Sequence, residues 1–150
     1  MKYYYSYQTS IGEIWICEED KQITRLSFKK PETGYEKKET KLLRETARQI
    51  DEYLHGQRMS FNLPLNPQGT PYQKTVWNAL LRVYYGETRT YKQIAEDIGN
   101  PKSCRAVGLA NNKNPIAIII PCHRIVGSNG KLVGYAGGLE IKEKLLAIEQ

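Results

Sequence analysis

The chain holds three cysteines, Cys17, Cys104 and Cys122, and two histidines, His55 and His123. One of each sits in Pro121-Cys122-His123-Arg124, directly after the aliphatic run Ile116-Ala117-Ile118-Ile119-Ile120. Such a run reads as a buried strand or core segment. It would deliver Cys122 from the interior to the edge of a pocket, and Pro121, with its own φ fixed, limits how the thiol is aimed. A free thiol titrates near pH ~8.5 and is mostly protonated at neutral pH. A neighbouring imidazole or cation raises the thiolate fraction and makes it a nucleophile. His123 and Arg124 are the candidates, although adjacent residues of an extended chain face opposite ways and His123 need not touch the sulfur. Three plainer readings compete. A structural buried cysteine is the commonest fate of a lone one. A zinc site lacks any C-x-x-C or H-x₃₋₅-H spacing. A Cys–His hydrolase leaves the basic segment described next without a purpose.

The elements around Cys122 are well punctuated. Thr70-Pro71-Tyr72-Gln73 is a capping box with proline at the first helical position, predicting a helix that carries Val76, Leu80, Val83 and Tyr84 on one side and stops at Gly86. Thr90-Tyr91-Lys92-Gln93 is a second box, opening a short helix with Ile94, Ala95 and Ile98 inward. Gly99-Asn100-Pro101 is a tight turn in which Asn100 can cap and Pro101 can start a further helix, running to about Asn111. Helix, glycine turn and second helix are the organisation of a helix-turn-helix. From Arg89 to Lys131 the basic residues are Arg89, Lys92, Lys102, Arg105, Lys113, Arg124 and Lys131, against Glu96 and Asp97 alone. The second helix also holds Ser103, Ala106, Gly108 and Ala110, small enough to let a backbone approach a surface or simply to pack tightly.

The first half differs in kind. Ile14-Trp15-Ile16 and Ile23 to Phe28 read as strands, Lys29 to Glu39 as a loop. Leu43, Ala47, Ile50 and Leu54 follow helical spacing up to the stop at Gly56. Leu63 to Gly69 is a rigid, turn-rich linker, which places a domain boundary between residues 1–67 and 68–150. The net charge is +6. It is carried almost wholly by the second part, with 11 Lys+Arg against 6 Asp+Glu, while the first is nearly balanced at 11 against 10. An anionic partner would feel that second part. No apolar stretch reaches the ~20 residues that span a bilayer. Met1-Lys2-Tyr3-Tyr4-Tyr5 offers no h-region of a signal peptide. An odd, sparse cysteine set suits a reducing compartment. The expectation is therefore a cytoplasmic protein without disulfides.

These residues carry a resemblance. Asn114 to Val126 resembles the active-site signature of the O6-alkylguanine-DNA alkyltransferases. The likeness extends through Thr90 to Ala95, Gly99-Asn100-Pro101, Arg105 to Gly108, Gly134 to Leu139 and the last helix, Lys142 to Glu149. Residues 1–67 match only as strands followed by a helix. The resemblance implies a small α/β N-terminal domain of RNase H-like type, then a mainly α-helical domain with a winged helix-turn-helix. It implies that Cys122 takes the alkyl group of O6-alkylguanine, and of O4-alkylthymine, once per molecule and without a cofactor. His123 would be linked through a water to Glu149, and Asn114 would brace the segment. Tyr91 would help rotate the nucleotide out and donate a proton to the leaving guanine. Arg105 would fill the gap left by the flipped base, with Ser103 and Ser128 also on DNA. Tyr135 and Ala136 would wall the base pocket. The partner implied is double-stranded DNA held through its minor groove by a monomer. Two features depart from the family pattern. Cys17 is the only N-terminal cysteine, so no structural zinc is expected. Ala136 stands where some relatives carry a hydroxyl, which bears on binding of O6 and on alkyl size. Two other functions share these features: a non-catalytic sensor of alkylated DNA, which would lack Cys122, and a dimeric transcription regulator.

Overall fold

The computed structural model describes all 150 residues. Its N-terminal part is a four-stranded sheet in the order β3-β2-β1-β4, with β1 Lys2–Thr9, β2 Gly12–Glu19, β3 Gln22–Ser27 and the short β4 Glu36–Lys37. The first three strands form an antiparallel meander, and β4 adds to β1 in parallel. Helix α1, Lys41–Leu54, begins where Thr40 accepts from the Leu43 amide at 3.1 Å. It buries Leu43, Thr46, Ile50 and Tyr53. Those positions are three and four apart, so they form one stripe facing the core.

The C-terminal part contains α2 Pro71–Leu80, β5 Arg89–Thr90, α3 Tyr91–Asp97, α4 Cys104–Asn112, β6 Ile125–Val126 and α5 Leu139–Ile148. Both capping boxes form reciprocally, Thr70 with Gln73 and Thr90 with Gln93. Helix α2 is shorter than its spacing predicts. It ends at Leu80, after which Arg82 and Val83 bond back only three residues, to Ala79 and Leu80. That tighter turn keeps Val83 buried but leaves Tyr84 66% exposed. The turn after α3 also differs from expectation. Asn100 accepts from the Ser103 amide and hydroxyl, so Pro101 and Lys102 lie in the turn and α4 starts at Cys104. Residues 127–138, between β6 and α5, form a loop without a strand.

The two parts share a single core of 26 buried residues. The edge strand β3 joins them. Ile23 bonds to Pro64 and Asn66 of the linker, and Leu26 bonds to Pro115 and Ala117 at 2.9 and 3.0 Å. The segment leading to Cys122 is thus held to the N-terminal sheet. Burial of apolar surface on both sides of that seam, at about 25 cal/mol per Å², makes it part of the fold rather than a loose hinge.

Candidate active site

The run Ile116–Ile120 is buried, as its composition requires. It is a tight turn, however, and not a strand: only Ile116 pairs with β3, and Ile120 bonds back to Ile116 at 3.0 Å. Ile118 has a φ of 71°. A β-branched residue is costly in that left-handed region, by about 1–3 kcal/mol. Asn114 holds the turn from both ends. Its side-chain amide donates to the Ile120 carbonyl at 2.8 Å, and its carbonyl accepts from the Ile116 amide at 3.0 Å. Beyond the turn, Cys122–Arg124 form one turn of 3₁₀ helix rather than extended chain.

Cys122 is buried. Burial pushes its thiol up to about 11, against the opposing effects of a hydrogen bond with Asn114 and the charge of Lys142. The resting nucleophile is therefore the neutral thiol. His123 is fully buried and its Nε2–H donates directly to Glu149 Oε2 at 2.8 Å. No water separates imidazole from carboxylate, contrary to the expected water-linked pair. With the Nε2 proton committed to Glu149, Nδ1 is the basic atom, and it has no partner in the protein. Desolvation lowers the His123 pKa despite the adjacent Glu149, so the imidazole is neutral at neutral pH and free to accept a proton.

Glu149 caps the end of α5. Arg124 grips it with two bonds, Nε to Oε1 at 2.8 Å and Nη2 to Oε2 at 3.0 Å, while Nη1 donates to the Val83 carbonyl at 2.6 Å. Tyr53 of α1 adds a further hydrogen bond to Oε2. Burial opposes the charged carboxylate, but the bonds from His123 and Arg124 prevail and hold Glu149 at about 2. Arg124 accordingly leaves the basic surface to which its place in the sequence assigned it. Lys142, also buried, donates to the carbonyls of Ile125, Val133 and Gly134 at 2.6, 3.0 and 3.3 Å and so ties the 127–138 loop to α5. Sequence reasoning missed Tyr53 and Lys142. For Lys142 a signal existed: with Leu145 and Glu149 it occupies the inward face of the last helix.

Tyr91 is half-buried and its hydroxyl donates to the Val133 carbonyl at 3.0 Å. Burial, then the neighbouring Cys122, raises its pKa, so it remains a donor. The Tyr135 hydroxyl is buried without a partner, and the ring lies 6.2 Å from Phe28. Gly137 is required beside them, because a Cβ there would stand 2.7 Å from the Phe28 ring. Ala136 lines a groove with Phe28, Asn114 and Ala117. Arg105 is exposed on α4 and makes no ion pair. Ser103 is occupied locally by the Asn100 carbonyl, and Ser128 is exposed on its loop. A Cβ at Gly108 would meet the Tyr91 ring at an ordinary 3.8 Å, so packing against Tyr91 does not by itself require glycine there.

Fold and site together define a two-domain protein with a buried nucleophilic thiol, backed by an imidazole and a carboxylate, beside a basic helix pair. Residues 71–150 match the family described as 6-O-methylguanine DNA methyltransferase, DNA binding domain, and residues 2–67 match its ribonuclease-like domain. The chain belongs to this family. It is 50% identical to a methylated-DNA–protein-cysteine methyltransferase of Methanosarcina acetivorans, over 98% of this chain and 97% of the relative. It is 46% identical to the constitutive one of Bacillus subtilis, over 100% and 96%. The structure of Mycobacterium tuberculosis OGT in complex with DNA superposes with a TM-score of 0.93 at 40% identity, covering 98% of this chain and 92% of that one. No helix is long and apolar enough to cross a membrane.

Proposed function

We propose that this protein repairs DNA by direct reversal, moving the alkyl group of O6-alkylguanine, and of O4-alkylthymine, onto Cys122 in one irreversible turnover. The observation that carries this reading is the buried thiol followed in sequence by an imidazole whose Nε2–H is held by Glu149 and whose Nδ1 is unpartnered. The thiol proton passes to Nδ1, through one water, as sulfur attacks the alkyl carbon. The carbon–O6 bond breaks, its electron pair stays on guanine, Tyr91 supplies the proton that neutralises the base, and the tyrosinate then regains a proton through solvent as the His123 imidazolium gives one up. The product is a thioether, which is stable in water, so each molecule reacts once.

The target carbon is stacked inside a duplex and Cys122 is buried, so the base must swing out, at a few kcal/mol for unstacking. Exposed Arg105, entering from α4 through the minor groove, offsets part of that, with Ser103 and Ser128 on the flanking backbone. Tyr135 and Ala136 wall the pocket, and the protein acts as a monomer in the cytoplasm. Intact-mass measurement tests the core of this. Mixed with excess O6-methylguanine DNA, each chain gains about one methyl, ~14 Da, on Cys122 and then stops. Turnover beyond one equivalent, or the methyl found on Cys17 or Cys104, would refute it.

A further inference from the structure

Tyr53 belongs to the N-terminal domain, 96 positions from Glu149 in sequence, yet its hydroxyl donates to the same Glu149 oxygen that accepts from His123. It also lies 3.3 Å from His123 Nε2. The ring is fully buried and clamped by Phe61 at 5.5 Å, Tyr85 at 6.2 Å and the His123 imidazole at 6.5 Å. Packing alone would be served by phenylalanine. A tyrosine hydroxyl aimed at an already doubly gripped carboxylate does something more.

We propose that Tyr53 is a positioning residue for alkyl transfer: its hydroxyl fixes Glu149 Oε2 against the His123 imidazole and limits the proton affinity of that pair. The inference rests on the alkyl-transfer reading and assigns the N-terminal domain a part in it, since the relay is complete only when α1 is docked. The groups facing the pair are few. Glu149 meets His123, Arg124, Tyr53 and the Gly86 amide, and Tyr85 stands behind Tyr53. His123 additionally feels the positive charges of Arg124 and Lys142, both of which oppose its protonation. Tyr53 stays neutral throughout, because burial and the Glu149 anion raise its pKa. Removing its hydroxyl leaves a less satisfied anion beside His123. Proton affinity of the imidazole rises, and the relay is blocked by protonation at a higher pH.

The test is Tyr53→Phe, with Phe61→Leu as a packing control. His123 is titrated by NMR in each protein, and the pH dependence of methyl transfer is measured in parallel. Tyr53→Phe is expected to move the His123 midpoint and the acid limb of the rate upward by about one pH unit, a tenfold change in proton affinity. Phe61→Leu is expected to lower Tm and leave both in place. Coincident titrations in wild type and Tyr53→Phe overturn the proposal whatever happens to Tm or rate, and so does an equal shift in Phe61→Leu. The NMR arm reads the relay without turnover, so a wild type that gained no methyl would sink the alkyl-transfer reading and leave this comparison standing.

Discussion

Replacing Glu149 by Gln leaves the shape of the side chain nearly intact and removes its charge. In the folded protein that carboxylate titrates near 2, against an ordinary 4.5. The displacement is worth about 3 kcal/mol of stability at neutral pH, at 1.36 kcal/mol per unit. Deleting one partner of a buried ion pair gives a similar figure, about 3–5 kcal/mol, because Arg124 is left charged and 8% exposed with no anion. At 2–4 °C per kcal/mol for a chain of this size, Glu149→Gln should melt roughly 6–12 °C below wild type at pH 7. The sign of the pH dependence is fixed. Between pH 4.5 and 2 the unfolded chain binds a proton on Glu149 that the folded chain does not, so wild type loses the contribution as pH falls. His123, whose folded pKa is lowered, acts the same way at higher pH. Calorimetric melts of both proteins across this range should therefore converge on acidification. Methyl transfer at neutral pH should fall by about 10²–10⁴, the range for losing a positioned base. DNA affinity should barely change, because Glu149 is buried away from exposed Arg105. Equal melting temperatures at pH 7, or a gap that persists unchanged down to pH 2, would show that Glu149 is not the anion of a buried network.

Three further outcomes are expected. Arg105→Ala should slow methyl transfer from duplex O6-methylguanine far more than from the free base, and equal slowing of both would make Arg105 a pocket residue rather than an aid to extrusion. Asn114→Ala should release the strained turn at Ile118 and remove a hydrogen bond that lowers the thiol pKa, so Cys122 should titrate higher and the unfolding free energy should fall by about 1–3 kcal/mol. An unmoved thiol would separate Asn114 from the sulfur. Iodoacetamide should modify exposed Cys104 well before Cys122 or Cys17, both buried and raised to about 11, an order that mass mapping of a time course can reverse.

What could be read from the sequence was local. Capping boxes at Thr70 and Thr90 and the α1 stripe depend on residues three or four apart, and they formed as spacing predicts. Departures came where distant contacts decide. The Ile116–Ile120 run has strand composition, but Asn114 pins it into a turn with Ile118 left-handed, a conformation that no propensity for isoleucine suggests. Arg124 read as part of the basic run or as a cation acting on Cys122, because its actual partner, Glu149, lies 25 positions away at the end of the last helix. Tyr53 gave no signal at all: its hydroxyl acquires meaning only when α1 packs on the C-terminal part. Helix ends shifted for a related reason, since Val83 is drawn inward by the core and its carbonyl by Arg124, which closes α2 early.

The raised thiol of Cys122 shapes the rest of the mechanism. Burial holds the Cys122 thiol well above its ordinary range, so at pH 7 it rests protonated. A protein that reacts once gains from such reticence, since a standing thiolate would be consumed by any passing electrophile. It also means the proton has to leave as the alkyl carbon arrives, and the acceptor must be neutral and close. In the proposed relay burial keeps His123 unprotonated, and Glu149 keeps it from being too poor a base once the proton comes. Arg124 and Tyr53 then set how strongly Glu149 can pull. Too free a carboxylate would leave His123 protonated before the substrate is bound, and too constrained a one would leave it unable to take the proton. The density of donors on that single buried carboxylate follows from this balance, and one of them, Tyr53, comes from the opposite domain.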